Sequence, residues 1–343
     1  MSRPITTVEN DKQKILVTGA GGFVGGAVMC ELQKACQYKA LGLGGRQAFE
    51  MKASGDILFQ ADISNPETLK KLENLKPINT VIHSAGLAHQ FGRVEREDFW
   101  RVNVRGTENI CRLAQQIDVR HLILISSVAV YGDYGNASID ETFECRPSGV
   151  YAESKLESEK RAIEFCEGNN IPLTILRLAT VIGEGDKGST TRLITAVDKG
   201  YFVWVGNGCN KKSLIYRQDA ARGILKTIET AKAEGTRIYN LSAEAVKMSE
   251  VVDAISESLG KKTLPFKIPE NLVRTVFRVK RAGLFKERFE RYERTFEKWL
   301  ADDVFSGKKF NEAFNFKPET PISEALARQV KYYLKQKREF FEV

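Results

Sequence analysis

Metal-binding patterns are missing from this sequence of 343 residues. It has three histidines, His83, His89 and His121, and six cysteines, at 30, 36, 111, 145, 166 and 209, with no Cys-x-x-Cys pair among them. That spacing excludes the usual zinc modules, and no metal site is expected. Scattered cysteines in a chain long enough for a large core read as small buried hydrophobes, so a reducing cytoplasm is the expected setting. Long apolar runs are absent too. The longest, such as 122–125 and 171–176, are strand-sized, far below the roughly 18–20 residues of a membrane span. The first eleven residues are polar and lack the apolar core of a secretion signal, so export is not expected. With 42% hydrophobic and 28% charged residues, the composition is that of a globular protein, which excludes disorder or collagen as the global answer.

One charge sign is in excess. There are 52 basic and 44 acidic side chains, a net charge of +8. That balance suits an anionic partner: a phosphorylated ligand, a lipid surface or nucleic acid. Much of the excess sits in residues 261–298, which hold twelve Lys or Arg against five Glu, interleaved with apolar residues at partly helical spacing. A basic helix with an apolar face fits peripheral contact with an anionic membrane. It fits equally a solvated cap surface that steers a soluble anion.

The first half alternates strands and helices. Strand signals fall at 14–18, 39–43, 56–60, 80–83, 121–126 and 172–177, and helical ones from the glycine cluster to 36, at 66–75, at 93–117 and at 151–166. Apolar strands separated by helices imply a doubly wound α/β fold with a parallel sheet covered on both faces. The second half loses this rhythm. It reads as a loop at 183–189, a helix at 190–199, short strands at 202–205 and 213–216 around the turn Gly206-Asn-Gly208, and an amphipathic helix at 248–259. We therefore expect a dinucleotide-binding domain at 12–180 with parts of 213–242, and a smaller α/β cap from 181–212 and 243–335.

Thr18-Gly19-x-x-Gly22-Phe23-Val24-Gly25 lies between the first strand and the first helix. Glycines there let the chain turn tightly and let a pyrophosphate approach the helix N-terminus. The second strand ends in Gly44-Gly45-Arg46 with no carboxylate before Glu50. Arg46 is thus a candidate for a 2′-phosphate, a lean toward NADP over NAD, unless it is simply a surface arginine. Asp62 and Ile63, after the third strand, are placed to meet the adenine edge. Asp62 would otherwise belong to a helix-capping region before Pro66. Ser127 ends the fifth strand, and Tyr151-x-x-x-Lys155 opens a helix. Residues at i and i+4 share a helix face, and an ammonium near a phenol favours the phenolate. His83 reads as a packed or hydrogen-bonded residue near the cofactor rather than a catalyst.

Thr18-Gly-x-x-Gly-x-x-Gly25, Asp62-Ile63, His83-Ser84-Ala85-Gly86, Asn103-Val-x-Gly-Thr107, Ser126-Ser-Val-Ala-Val-Tyr-Gly132, Tyr151-x-x-x-Lys155 and Arg177 together resemble the extended short-chain dehydrogenases of the NAD-dependent epimerase/dehydratase group, over about 12–335. The resemblance implies a Rossmann domain with a sugar-nucleotide cap, and Ser127, Tyr151 and Lys155 as the catalytic set. Implied cofactor contacts are Gly19, Gly22, Phe23, Val24, Gly25, Arg46, Asp62, Ile63, Ser84, Ala85, Gly86, Asn103, Tyr151 and Lys155. Asn103 is implied to be mainly a support for the active-site helix. Ser127, Thr180, Ser189, Arg192 and Lys212 are the implied substrate contacts. Thr180 and Ser189 stand where relatives commonly have asparagine.

Within the group the chain is most similar to C4 epimerases of N-acetylhexosamines on UDP or polyprenyl diphosphate. The implied partner is such a sugar, not nucleic acid, and a homodimer is expected. Ser127-Val-Ala129 stands where 4,6-dehydratases carry Thr-Asp-Glu, which argues against β-elimination. A 4-keto-sugar reductase using NADPH is the runner-up, and a catalytically silent dinucleotide sensor is the reading from another class.

Overall fold

The structure of the chain is a computed structural model that describes residues 12–45, 57–88, 95–133, 135, 137–229, 234–263, 266–281 and 300–341. Seven strands form the main sheet: β1 (Gln13–Thr18), β2 (Tyr38–Gly44), β3 (Ile57–Gln60), β4 (Thr80–His83), β5 (His121–Ser127), β6 (Leu173–Leu178) and β7 (Thr236–Leu241). All pair in parallel, in the order β7-β6-β5-β4-β1-β2-β3. The order reverses between β1 and β4. This is the switch point where an open α/β sheet leaves a crevice beyond its carboxyl edge.

Both sheet faces are buried, so the strands are continuously apolar rather than alternating. Helices α1 (Phe23–Lys34) and α5 (Arg217–Glu229) bury Val28, Leu32, Ala221 and Ile224 with Ile15 and Val17 on one face. Helices α2 (Gly106–Gln116) and α3 (Val150–Gly168) bury Ile110, Leu113, Ala162 and Cys166 with Leu16 and Leu122 on the other.

The cap has its own core of Ile182, Leu193, Trp204, Leu214, Met248, Val252, Ala325 and Leu326. These come largely from α4 (Ser189–Asp198), α6 (Met248–Leu259) and the C-terminal helix α9 (Ile322–Phe341). Helices α7 (Glu270–Arg281) and α8 (Lys308–Phe314) complete the described elements.

The doubly wound fold with a smaller cap is as the sequence implies, with four local corrections. Residues 66–75 are two 3₁₀ turns, Pro66–Thr68 and Lys70–Leu75, not an α-helix. Asn65 caps the first through the Glu67 amide at 3.1 Å. The helical stretch 93–117 is broken into Arg96–Phe99, a π-helical segment Trp100–Arg105, and α2. The strands at 202–205 and 213–216 do not pair around Gly206. Trp204–Val205 pairs with Lys267–Ile268, and Leu214–Tyr216 with Thr180–Ile182. The seventh strand, β7, was not foreseen as one.

Candidate active site

The glycine motif is shaped by close approach. Gly19 has φ +69°, and a Cβ there would lie 2.8 Å from Ala85 Cα and the Ala85 amide nitrogen, so the ends of β1 and β4 nearly touch. A Cβ on Gly25 would lie 2.1 Å from the Gly19 carbonyl oxygen. Gly22 caps α1 with no side-chain hydrogen bond, which leaves the first-turn amides of Phe23, Val24 and Gly25 without a side-chain cap. A bare helix N-terminus behind a side-chain-free turn fits the pyrophosphate of a dinucleotide. Asp62 Oδ1 accepts from the Ser64 amide at 2.9 Å and its hydroxyl at 2.7 Å, and Ile63 packs against Gly106. Asp62 and Ile63 thus stand on a turn beyond β3, beside the crevice. Arg46 and His89 lie outside the described residues.

Beside the glycines runs a closed chain of hydrogen bonds. The Ala85 amide donates to Thr18 Oγ1 at 3.1 Å. Thr18 lies 2.7 Å from His83 Nδ1, and His83 Nε2 lies 3.0 Å from Thr107 Oγ1. Thr107 donates to the Asn103 carbonyl at 2.6 Å, so its oxygen accepts from Nε2, and Nδ1 accepts from Thr18. Both ring nitrogens are satisfied in the neutral form. Burial, and then the charge of Lys155, lower the His83 pKa to about 3. His83 is a hydrogen-bonded strut, as its sequence reading suggests.

Asn103 extends this chain to α3. Its Oδ1 accepts from the Leu87 amide at 2.7 Å, and its Nδ2 donates to the Leu87 carbonyl at 3.1 Å and to Ser154 Oγ at 2.9 Å. Ser154 in turn donates to the Tyr151 carbonyl at 2.8 Å. A Cβ on Gly86 would meet Asn103 Oδ1 at 3.0 Å. The π-helical segment is what sets Asn103 toward both α3 and the loop after β4, a use typical of π-bulges.

The structure brings Ser127 and Tyr151 together and sets Lys155 one turn further along α3. Ser127 and Tyr151 are hydrogen-bonded, and the edge of Phe99 packs on the phenol at 6.3 Å between centroids. Burial pushes the Tyr151 pKa up, and the Ser127 contact pulls against it. Lys155 is 8% exposed and donates to the Ile125 carbonyl at 2.7 Å. Burial lowers its pKa to about 8, while Glu159, one turn along α3, works to raise it.

Glu159 is 1% exposed and is the residue sequence reasoning missed. It accepts from Ser126 Oγ and from Arg177 Nη2 at 2.7 Å. Arg177 lies over the Tyr131 ring at 4.8 Å, and Tyr131 donates to Asn240 Oδ1 on β7 at 2.8 Å. The carboxylate is thus paired with Arg177 one helical turn from Lys155. Its signal was a Glu four residues after Lys155 with an arginine on the neighbouring strand.

The candidate substrate residues lie on the cap side. Thr180 pairs with Leu214, which places it near Lys212. Lys212 Nζ donates to Asp303 at 2.7 Å and to the Ala301 carbonyl at 2.8 Å. Ser189 and Arg192 are exposed in the first turn of α4. The loop before them is fixed by Asp186, which accepts from the Gly188 amide at 2.7 Å and from Gln329 at 2.9 Å. Arg217 connects this loop to α1. It donates to the Glu184 carbonyl and lies 5.2 Å over the Phe23 ring. Among the described residues no group of His, Cys, Asp and Glu is arranged to hold a metal, and no helix is long and apolar enough to cross a membrane.

Comparison with known proteins agrees with this geometry. The model of the NAD dependent epimerase/dehydratase family matches residues 15–242. An N-acetyl-alpha-D-glucosaminyl-diphospho-ditrans,octacis-undecaprenol 4-epimerase of Escherichia coli O157:H7 is 28% identical over 264 residues, covering 74% of this chain and 75% of that protein. A UDP-glucose 4-epimerase of Vibrio cholerae is 28% identical over 265 residues, covering 75% and 79%. Among solved structures, a UDP-glucuronic acid 4-epimerase from Bacillus cereus in complex with NAD superposes with a TM-score of 0.76 at 21% identity, covering 94% of this chain and 99% of that one.

Proposed function

The chain belongs to the NAD dependent epimerase/dehydratase family, and from that premise we propose that it inverts C4 of a hexose or N-acetylhexosamine carried on a diphosphate. The observation that carries this reading is the half-buried Ser127–Tyr151 contact with Lys155 one turn further along the same helix. A nicotinamide dinucleotide, held at the Gly19–Gly25 turn before α1, would supply the hydride acceptor and donor. Tyr151 removes the proton from the 4-hydroxyl and later returns it. Ser127 holds the substrate oxygen against the phenol, and Lys155 holds positive charge beside it. Val128 and Ala129 offer no carboxylate where β-elimination would need one, so dehydration is not favoured.

The two relatives at 28% identity act, by their names, on sugars linked through a diphosphate to undecaprenol or uridine. That supports a UDP-sugar or a polyprenyl-diphosphate sugar as the substrate class. Lys212, Thr180, Ser189 and Arg192 are proposed as its contacts, with Lys212 exchanging its pairing to Asp303 for the diphosphate. The homodimer remains a proposal that rests on the family resemblance.

NAD is the cofactor we favour, because the solved relative of similar fold holds NAD and the lean toward NADP rests on Arg46 alone. Titrating both dinucleotides into wild type and Arg46→Ala checks this. An unchanged NADP/NAD affinity ratio is expected, and a selective loss of NADP affinity would restore the NADP reading. The catalytic assignment is tested by Tyr151→Phe. Turnover should fall by about a hundredfold or more, the usual worth of a general acid–base residue, with dinucleotide affinity nearly unchanged. Turnover surviving within a few-fold would refute the assignment.

A further inference from the structure

Five large apolar side chains are exposed among the described residues, and four of them gather on one side of the cap: Tyr201 at 60%, Val203 at 40%, Phe266 at 74% and Leu272 at 58%. Strand register explains the clustering. Lys267–Ile268 runs parallel to Trp204–Val205, with Lys267 opposite Trp204 and Ile268 opposite Val205. Continued one residue back from Trp204 and Lys267, the register sets Val203 beside Phe266, and both are exposed, as is Tyr201 just before them. Leu272 follows at once, in the first turn of α7, where its amide donates to the Pro269 carbonyl at 3.1 Å.

The same segment carries the charge. Residues 261–281 hold seven Lys or Arg (261, 262, 267, 274, 278, 280 and 281) and one acid, Glu270, so 7 − 1 = +6 of the chain's +8. Leu272 is more than half exposed, so the start of α7 presents it to solvent rather than to the cap core.

We propose that this face of the cap docks on an anionic lipid bilayer. Exposed aromatic and aliphatic side chains beside the exposed Lys262 and Lys267, in a segment of net positive charge, match an interface of acyl chains below anionic head groups. A nucleic acid would meet the cations but gain nothing from Phe266 or Leu272. The patch adjoins the turn Gly206–Gly208. The Gly206 amide donates to the Ile268 carbonyl at 3.0 Å, and the Ser249 amide to the Gly208 carbonyl at 2.9 Å. Docking would therefore bring the segment before Lys212 toward the membrane, where the carrier of a polyprenyl-linked sugar resides. That use rests on the proposed substrate class, whereas docking does not.

The test is co-sedimentation of the full chain with phosphatidylcholine vesicles, with and without phosphatidylglycerol, at low and high salt. Binding should require the anionic lipid and weaken steeply with salt. Each well-placed cation is worth about fivefold in partitioning, so Lys262→Gln with Lys267→Gln should weaken binding by about tenfold or more. Phe266→Ser with Leu272→Ser should weaken it without changing its salt dependence. Epimerisation of a soluble UDP-sugar by the same preparations should be unchanged in both double variants, which separates failure of docking from failure of the proposed reaction. No binding of wild type to anionic vesicles at low salt would overturn the proposal without any variant. So would equal binding to neutral and anionic vesicles. A change of oligomeric state in the Phe266/Leu272 variant with vesicle binding intact would assign the face to a second copy of the chain and equally overturn it.

Discussion

Glu159 links folding and chemistry at a single side chain. It is buried with its partner Arg177 and sits one helical turn from Lys155, whose charge it favours. Glu159→Gln keeps a hydrogen-bonding side chain but leaves Arg177 as a buried charge without its counterion. Stability should fall by on the order of 3 kcal/mol in denaturant unfolding. Lys155 should lose its proton at lower pH. Since its pKa is already lowered to about 8 by burial, the alkaline limb of kcat/KM should move below the wild-type position. A limb that stays in place while stability drops would make Glu159 structural only. Ser127, Tyr151 and Lys155 were legible in the sequence because two share a helix face and the third ends a strand. The Glu159–Arg177 pair was not, because it exists only once β5 and β6 lie side by side, with Ser126 opposite Arg177.

At the scale of elements, the cap is pinned by one carboxylate. Asp198, at the end of α4, accepts from Lys261 beyond α6 at 2.7 Å and from Tyr333 of α9 at 3.0 Å, and pairs with Lys337 at 2.5 Å. Burial pushes its pKa up, but these hydrogen bonds outweigh burial and hold it at about 2. The native state therefore binds this proton less readily than the unfolded chain, whose ordinary value is 3.8. The resulting stabilisation is complete above about pH 4 and is lost as the pH falls toward 2. Asp198→Asn should cost about 2 kcal/mol at neutral pH and flatten the acid limb of the stability profile, measured by urea unfolding across pH. An unchanged acid limb would show that other carboxylates set it. Element boundaries were less legible than element types. A helix-like pattern at 66–75 became 3₁₀ turns after the Asn65 cap and Pro66. The single long helix at 93–117 hid a π-helical segment in which Thr107 bonds back to the Asn103 carbonyl. Thr236–Leu241 passed unread because an edge strand, half exposed at its start, lacks the continuous apolar signature of β5.

For the whole molecule, the glycine turn, the neutral His83 strut, Asn103 and α3 form one bonded unit on the carboxyl edge of the sheet. Arg217, against Phe23 and Glu184, ties the cap to it. The sheet and the crevice were readable because parallel strands announce themselves by apolar runs. The cap was readable only as a change of rhythm, since its short strands pair across long sequence separations. In the proposed reaction this unit directs a hydride out and back without net redox change. The direct measurement follows nicotinamide absorbance while sugars are identified by mass spectrometry and NMR, using UDP-hexoses, UDP-N-acetylhexosamines and a polyprenyl-diphosphate N-acetylhexosamine with substoichiometric NAD. The expected result is interconversion of two C4 epimers to a fixed ratio with absorbance returning to its starting value. Consumption of reduced cofactor in step with loss of a 4-keto sugar, or a 4-keto-6-deoxy product, would contradict it.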